Sequence, residues 1–466
     1  MANPSYESTS LGNLRSVSNQ LFDAYFTSPA MRALFCDAGR VQGMLDFEAA
    51  LARAEARVGL IPTAAVAPIA AACRAELYDF CALAEAIASA GNSAIPLVKM
   101  LGQRVAASDA EAERYVHLGA TSQDAMDSGL VLQLRQAIAL LERDLAQLGD
   151  ALALQAERHA DSVLPGRTWL QHATPVTLGM KLAGLLGALN RHRQRLAELK
   201  PRLLVLQFGG AAGTLAALGE QAWPVSEALA EELGLGLPDA PWHTQRDRLV
   251  EFAALLGMLA GSLGKLGRDL SLLMQTDVGE AFEPSAPGKG GSSTMPHKRN
   301  PVGAAVLIAA ATRAPGLVAT MLAAMPQEHE RSLGLWHAEW DTLPELCCLL
   351  SGALQQALIA VPGLEVDAAR MRSNLDLTQG LVLAEAVSIA LAQRIGRDSA
   401  HHLIEQCCRQ AIAERRHLRA VLADNAAVSA QLNAAELDRL LDPAGYLGQA
   451  RRWVARAVAD HRGLSV

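Results

Sequence analysis

The sequence predicts an all-α fold. Of its 466 residues, 51% are apolar, enough for a sizeable buried core, whereas only 4% are aromatic. Alanine and leucine, which favour helices, are abundant, while β-sheets prefer β-branched and aromatic residues. Leucines also recur every three or four residues over long segments, which is the period of an amphipathic helix.

Three segments have the leucine pattern of long helices. The first runs from Leu134 to Leu152, and the second, from Leu249 to Leu273, keeps the pattern over several heptads. A third runs from Leu182 to Leu199. We expect Pro201 and the glycine turn after it to end this helix, because proline disfavours helical backbone in the preceding residue.

These helices are longer than usual for a globular domain, so the short loops of one chain are not expected to cover their apolar surface. Residues 302–312 are almost entirely apolar, which predicts a helix packed on every side inside a bundle. The sequence therefore predicts a homo-oligomer whose partner chains complete that bundle.

Proline and glycine breaks divide the chain into a polar leader and three domains. We predict a disordered leader over residues 1–18 and a helical domain of shorter elements over residues 19–125. Residues 126–375 are predicted to form the long-helix bundle, and residues 376–466 a second small helical domain.

Composition excludes several classes of protein. A net charge of −7 without a lysine-rich run argues against nucleic acid or an acidic membrane surface as partner. The seven cysteines have no metal-ligand spacing, which favours a reducing cytoplasm and no metal site. The uncharged stretch 203–219 holds four glycines and is predicted to be a buried turn, not a membrane span.

Residues 288–301, with the sequence GKGGSSTMPHKRNP, carry the strongest functional signal. Glycines let the backbone approach a ligand and move, and two serines supply hydroxyl groups. Lys298 and Asn300 add a cation and an amide beside a predicted helix start, where anions bind well. We interpret the segment as a mobile anion-binding lid that carries a proton-transfer group; a plain surface linker is the weaker alternative.

This lid motif resembles the signature of the fumarase/aspartase superfamily, which includes fumarase, aspartase, argininosuccinate lyase and adenylosuccinate lyase. The similarity extends through residues 117–124 (HLGATSQD), 166–175 (GRTWLQHATP) and 245–247 (QRD), and so covers nearly the whole chain after the leader. It implies an α-helical homotetramer in which three chains build each active site. No metal or cofactor is implied.

The resemblance also implies roles for individual residues. Ser292 matches the proton-transfer serine, Lys298 is expected to stabilise the carbanion, and His172 is a further candidate for proton transfer. The residues expected to bind substrate are His117, Thr121, Ser122, Trp169, Gln171, Arg246, Ser293, Met295, Asn300 and Arg331. Removing or adding a proton beside a carboxylate creates a dianion, which donors and cations stabilise in the transition state.

Trp169 departs from the pattern of the amine- and water-eliminating members, which have a histidine there. That histidine assists the leaving group. A carboxylate leaving group needs little such help, so Trp169 favours the lactone-forming branch of the superfamily, which acts on a tricarboxylate. An adenylosuccinate-lyase-like enzyme, a non-catalytic protein that reuses the fold and a heptad scaffold remain as alternatives.

The other histidines have simpler interpretations. Trp336 and His337 precede a predicted long helix, where a helix-entry role is favoured over substrate contact. His243, His401 and His402 are interpreted as packing or surface residues, because nothing nearby supplies a base or a metal partner.

Overall fold

A computed structural model describes residues 20–291 and 294–464, so the predicted leader lies outside the described residues. The all-α prediction is confirmed. The helices are α1 Gln20–Phe26, α2 Pro29–Phe35, α3 Asp37–Arg57, α4 Val66–Ala72, α5 Phe80–Ala90, α6 Ala94–Ser108, α7 Ser122–Arg158, α8 Leu178–Leu203, α9 Ala222–Leu233, α10 Asp247–Leu273, α11 Val302–Ala323, α12 Leu335–Ala360, α13 Ala368–Asp376, α14 Ala384–Ile395, α15 Arg397–Glu414, α16 Leu418–Asp424, α17 Ala426–Ser429, α18 Ala434–Leu440 and α19 Ala450–Gly463.

The three leucine patterns correspond to α7, α8 and α10, the longest of which, α7, has 37 residues. Pro201 does not end α8, which continues to Leu203. Leu199 and Leu203 are both essentially fully buried, so packing of this last turn outweighs the one hydrogen bond that proline cannot donate.

Three helices, α10, α11 and α12, are long and apolar enough to cross a membrane by length and composition alone. In α10 and α12, 61% and 67% of the most apolar stretch is buried within the chain. In α11 this share is only 33%, and Ala305, Thr312, Gly316, Ala319 and Ala323 are exposed along one face. Within a single chain, α11 is therefore not packed on every side.

The chain packs into two compact units, each of which is discontinuous in sequence. The first unit takes the described residues up to Asp144, then Arg193–Gly261 and Ala309–Gln355. The second takes Leu145–His192, the described residues of 262–308, and the chain from Gln356 onward. Each division falls inside a helix, namely α7, α8, α10, α11 and α12. The three-domain division at residues 125 and 375 stays a prediction.

In the first unit, two glycines let α3 and α7 approach closely. A Cβ atom on Gly43 would lie 2.8 Å from the Gly129 carbonyl oxygen, and one on Gly129 would lie 2.8 Å from the Gly43 carbonyl carbon. Real Cβ atoms are not found so close to backbone, so only glycine permits this separation. The contact matters for the site because α3 carries Glu48 and α7 begins at Ser122.

The second unit contains the strands. β1 (Val163–Thr168) and β2 (Gln171–Thr177) form an antiparallel hairpin, and β3 (Ala281–Phe282) pairs with β4 (Glu365–Val366). The hairpin holds the GRTWLQHATP motif. Pro175 together with β-branched Thr174, Val176 and Thr177 favours extended backbone, and α8 begins only at Leu178.

We predict that Gly129→Ala destabilises the protein by about 1–3 kcal/mol, the usual cost of overpacking, because its methyl group would meet the Gly43 backbone. Chemical denaturation would measure the free energy of unfolding. Gly463→Ala serves as the control, since no atom lies within 4 Å of a Cβ atom built on that helical glycine. A Gly129→Ala protein as stable as the wild type would disprove the close helix contact.

Candidate active site

In the first unit, the segment 117–124 folds around the buried carboxylate of Asp124. Its Oδ1 atom accepts a hydrogen bond from the Gly209 N–H (3.0 Å), and Oδ2 accepts from Gly210 (2.9 Å) and Thr121 (3.0 Å). The His243 Nε2 atom lies 2.7 Å from Oδ1. This motif, which begins α7, is thereby tied to the glycine turn after α8.

His117 lies where the chain turns toward α7, in a left-handed backbone conformation with φ of 60°. Its Nδ1 atom lies 2.6 Å from Oε1 of Glu48, which is buried on α3. Burial by itself lowers the pKa of His117, but the Glu48 carboxylate outweighs it, and the net pKa is raised. The imidazole therefore has a stronger tendency to carry a proton than an exposed histidine.

Arg331 joins the same group of residues. It donates to Thr121 Oγ1 (3.1 Å), to Gln123 Oε1 (3.2 Å) and to the Ala211 carbonyl (3.2 Å). The structure thus brings together Arg331 and Thr121, two residues expected from the sequence to bind substrate. The Arg331 side chain is half-buried, so part of this cation remains accessible beside the start of α7.

Arg246 requires a correction. Its side chain is completely buried, and its three nitrogens donate to the carboxylates of Asp127 and Glu339 at 2.6–3.1 Å. Trp336 also donates to Asp127. A guanidinium enclosed in this way has little capacity left to bind a substrate carboxylate, so the contacts that Arg246 makes here are structural ones.

In the second unit, the hairpin presents Trp169 and Leu170 in its two-residue turn. Both have left-handed backbone, with φ of 52° and 63°, and their side chains are 97% and 75% exposed. Such a turn is usually built from Asn-Gly, and a left-handed non-glycine residue costs roughly 1–2 kcal/mol. An indole held in solvent at this cost indicates a functional role.

Next to this turn, the hairpin is held by an ion pair. Arg167 on β1 makes a two-pronged contact with the fully buried Glu280, at 2.7 and 2.9 Å, and Asn374 donates to the same carboxylate. His172 lies opposite Arg167 across the two strands. Burial, followed by the charge of Arg167, lowers the pKa of His172, so this imidazole is neutral at neutral pH. Its neighbour Gln171 is exposed.

The lid follows in the same unit, although Ser292 and Ser293 lie outside the described residues. The ends of the loop meet where the Asn300 N–H donates to the Gly290 carbonyl (2.8 Å). Gly290 has a φ of 67°, and a Cβ atom there would lie 2.5 Å from the Asn300 carbonyl oxygen. Lys298 and Met295 are exposed on this loop. The ends of the lid are therefore held together, and Lys298 is exposed to solvent.

The start of α11 is not an open anion site, contrary to the expectation from sequence. The carboxylate of Glu283 accepts the N–H groups of Gly303 (3.0 Å) and Ala304 (2.6 Å), so the protein fills this helix terminus itself. Lys289 lies 3.6 Å from the same carboxylate. The N–H groups at this helix start are therefore not available to an anion at the lid.

Sequence reasoning missed three buried acids: Glu48, Glu280 and Glu283. Glu48 lies in a largely apolar part of α3, which was the available signal, whereas Glu280 and Glu283 follow a polar turn and have none; the partners of all three are distant in sequence. His337 is exposed and stacks against Trp340, with ring centroids 4.4 Å apart, which agrees with a helix-entry role. Among residues 20–291 and 294–464, no group of His, Cys, Asp or Glu side chains is arranged to hold a metal ion.

Comparison with known proteins identifies the relatives of this chain. A family model described as lyase matches residues 24–316, and one described as adenylosuccinate lyase C-terminus matches residues 380–457. A protein of Pseudomonas aeruginosa named 3-carboxy-cis,cis-muconate cycloisomerase is 78% identical over 96% of this chain and 97% of its own length. A Pseudomonas putida protein of the same name is 74% identical over 91% of this chain and 100% of its own length.

A solved structure gives the same result for the fold. The crystal structure of 3-carboxy-cis,cis-muconate lactonizing enzyme from Pseudomonas putida has a TM-score of 0.93 and is 73% identical to this chain. The match covers 96% of this chain and 100% of the crystallised one.

Proposed function

The chain belongs to the fumarase/aspartase superfamily, and we propose that it is an enzyme that closes 3-carboxy-cis,cis-muconate to 4-carboxymuconolactone. The reaction is reversible and would serve aromatic catabolism through protocatechuate and the β-ketoadipate pathway. The observation that carries the proposal is Trp169 at the tip of the hairpin, in a chain 78% identical to a cycloisomerase.

The chemistry matches the residues present. One substrate carboxylate oxygen adds to a conjugated carbon and forms the ring C–O bond, while the carbon beside another carboxylate takes up one proton. We propose that Ser292 delivers this proton and that Lys298 and Asn300 stabilise the carbanion, as in the superfamily. The remaining carboxylates need cations and donors, for which Arg331, His117, Thr121 and Ser122 are proposed. No metal or cofactor is required by these steps.

Trp169 is proposed to replace the leaving-group acid with an apolar surface. In the reverse direction the leaving group is a carboxylate, which departs as a stable anion without a proton. An indole beside the carbanion fills space and excludes water. His172 and Gln171, on the strand that follows, are proposed to contact the substrate next to it, with Met295 and Ser293 contributed by the lid.

The second candidate is another lyase of the superfamily, such as adenylosuccinate lyase. The match of residues 380–457 to a model described as adenylosuccinate lyase C-terminus favours it. Trp169 weighs against it, because cleavage of adenylosuccinate requires an amine leaving group to be protonated.

We expect the purified enzyme to convert 3-carboxy-cis,cis-muconate to its lactone without added metal or cofactor, as followed by loss of ultraviolet absorbance of the diene. Fumarate, argininosuccinate and adenylosuccinate should give no measurable turnover. Faster cleavage of adenylosuccinate than lactone formation would reject the proposed reaction in favour of the second candidate.

The lid residues can be tested separately. Ser292→Ala and Lys298→Met should each lower kcat by about 10² or more, a typical loss for a proton donor or a charge-stabilising group. Circular dichroism should show an unchanged helical signal, since Lys298 is exposed. Near wild-type turnover in either variant would show that another residue carries out the proposed step, and His172 is the next candidate.

We also propose a cytoplasmic homotetramer whose active sites each take residues from three chains. The exposed face of the apolar helix α11 supports this, because large exposed apolar surfaces usually mark interfaces. Light scattering on the purified protein should give the mass of four chains of 49.3 kDa. A stable and fully active monomer at micromolar concentration would contradict both the assembly and the shared sites.

A further inference from the structure

Glu48 is a buried carboxylate whose only polar partner among the described residues is His117. Its side chain is 1% exposed and lies on the face of α3 that packs into the first unit. One oxygen, Oε1, is 2.6 Å from Nδ1 of His117, while Oε2 is buried without a hydrogen-bond partner. A buried carboxylate with one oxygen unpaired has a strong requirement for a neighbouring positive charge.

The opposite side of the imidazole has a different environment. The His117 side chain is 17% exposed, so the ring is only partly covered, and no partner of its Nε2 atom is found within residues 20–291 and 294–464. Because Nδ1 faces Glu48, Nε2 is the nitrogen available to a ligand. The same segment presents Thr121, whose hydroxyl accepts a hydrogen bond from Arg331; both residues are proposed to bind substrate.

A second buried acid, Glu55, follows seven residues later on α3. Both of its oxygens lack a hydrogen-bond partner within the described chain. Burial, and then the charge of Glu48, raises the pKa of Glu55 to about 9. Glu55 is therefore neutral at neutral pH.

Two acids from different helices act on the His117 ring: Glu48 from α3 and Asp124 from α7. Asp124 is already engaged by Gly209, Gly210, Thr121 and His243, whereas Glu48 directly contacts the ring. Burial opposes protonation of His117, but the two carboxylates outweigh it and raise the pKa of His117.

We propose that Glu48 is a positioning residue that holds His117 as an imidazolium, with the Nδ1 proton directed to α3 and the Nε2 proton directed to a carboxylate of the substrate. The proposal rests on the proposed function, since it takes an anionic substrate as the ligand of His117. It adds a residue of α3 to a site otherwise recognised through four sequence motifs. The close approach of α3 to α7 at Gly43 and Gly129 then becomes a requirement for substrate binding.

The test compares Glu48→Gln with Glu55→Gln. Replacing Glu48 by its neutral isostere should raise KM about tenfold at pH 8 and change kcat less than about threefold, because a uniform binding interaction is lost. Since a raised histidine pKa keeps the ring charged to higher pH, wild-type kcat/KM should fall as pH rises through that pKa. In Glu48→Gln this fall should occur about one pH unit or more lower, the usual size of such a charge effect.

Glu55→Gln is the matched control, because it replaces an acid that is already neutral below about pH 9. Glu55→Gln should leave the pH profile of kcat/KM unchanged below about pH 9. A profile of Glu48→Gln that coincides with the wild type would overturn the proposal and leave Glu48 a purely structural residue. A profile of Glu55→Gln shifted as far as that of Glu48→Gln would also overturn it. Should Glu48→Gln fail to fold, Glu48→Met, which also removes the charge and has a similar length, replaces it, and an unshifted profile there has the same meaning.

A measurement without substrate separates this proposal from the proposed function. Histidine NMR titration, with His117 assigned from the signal missing in His117→Asn, should give a lower pKa in Glu48→Gln than in the wild type. An equal pKa in both proteins would reject the role of Glu48 even if carboxymuconate is the substrate. A lowered pKa in a protein with no activity on carboxymuconate would instead reject the proposed reaction and retain the ion pair.

Discussion

The enclosure of Arg246 between Asp127 and Glu339 is the interaction on which the first unit depends most. The three side chains come from α7, from α12 and from the residue before α10, and all three are buried. Removing one member of such a group leaves a buried charge unpaired, which typically costs 3–5 kcal/mol. Burial raises the pKa of Glu339 even though the charge of Arg246 acts to lower it. The stability of these three side chains is therefore as sensitive to an added charge as to a lost one.

Residues of the first unit that are proposed to bind substrate are connected to this group. Gln123 donates to Asp127 and to the His243 carbonyl, and it also accepts from Arg331. His243 in turn contacts Asp124, which anchors the segment that carries His117. A rigid polar network beneath a site keeps donors in place before the substrate arrives, which is the main source of electrostatic stabilisation in such enzymes.

The sequence was sufficient for the long helices, because leucine period and length are local properties. It was insufficient for the hairpin, where the extended backbone of residues 163–177 had no alternating pattern to reveal it. Arg246 was expected at the substrate from its motif, yet its buried partners lie 93 and 119 residues away. Glu48 and Glu280 were missed for the same reason, since only the fold brings their partners to them.

The interleaving of the two units has a consequence for how the chain is made. His461, near the end of α19, contacts Asp150 and Asn190, which were synthesised about three hundred residues earlier. The second unit therefore cannot complete its packing until α19 has left the ribosome. Until then, part of the surface of its earlier helices remains exposed. The short helix α19 thus closes a polar contact with two much earlier helices, and we expect its removal to uncover the faces of α7 and α8 on which His461 lies.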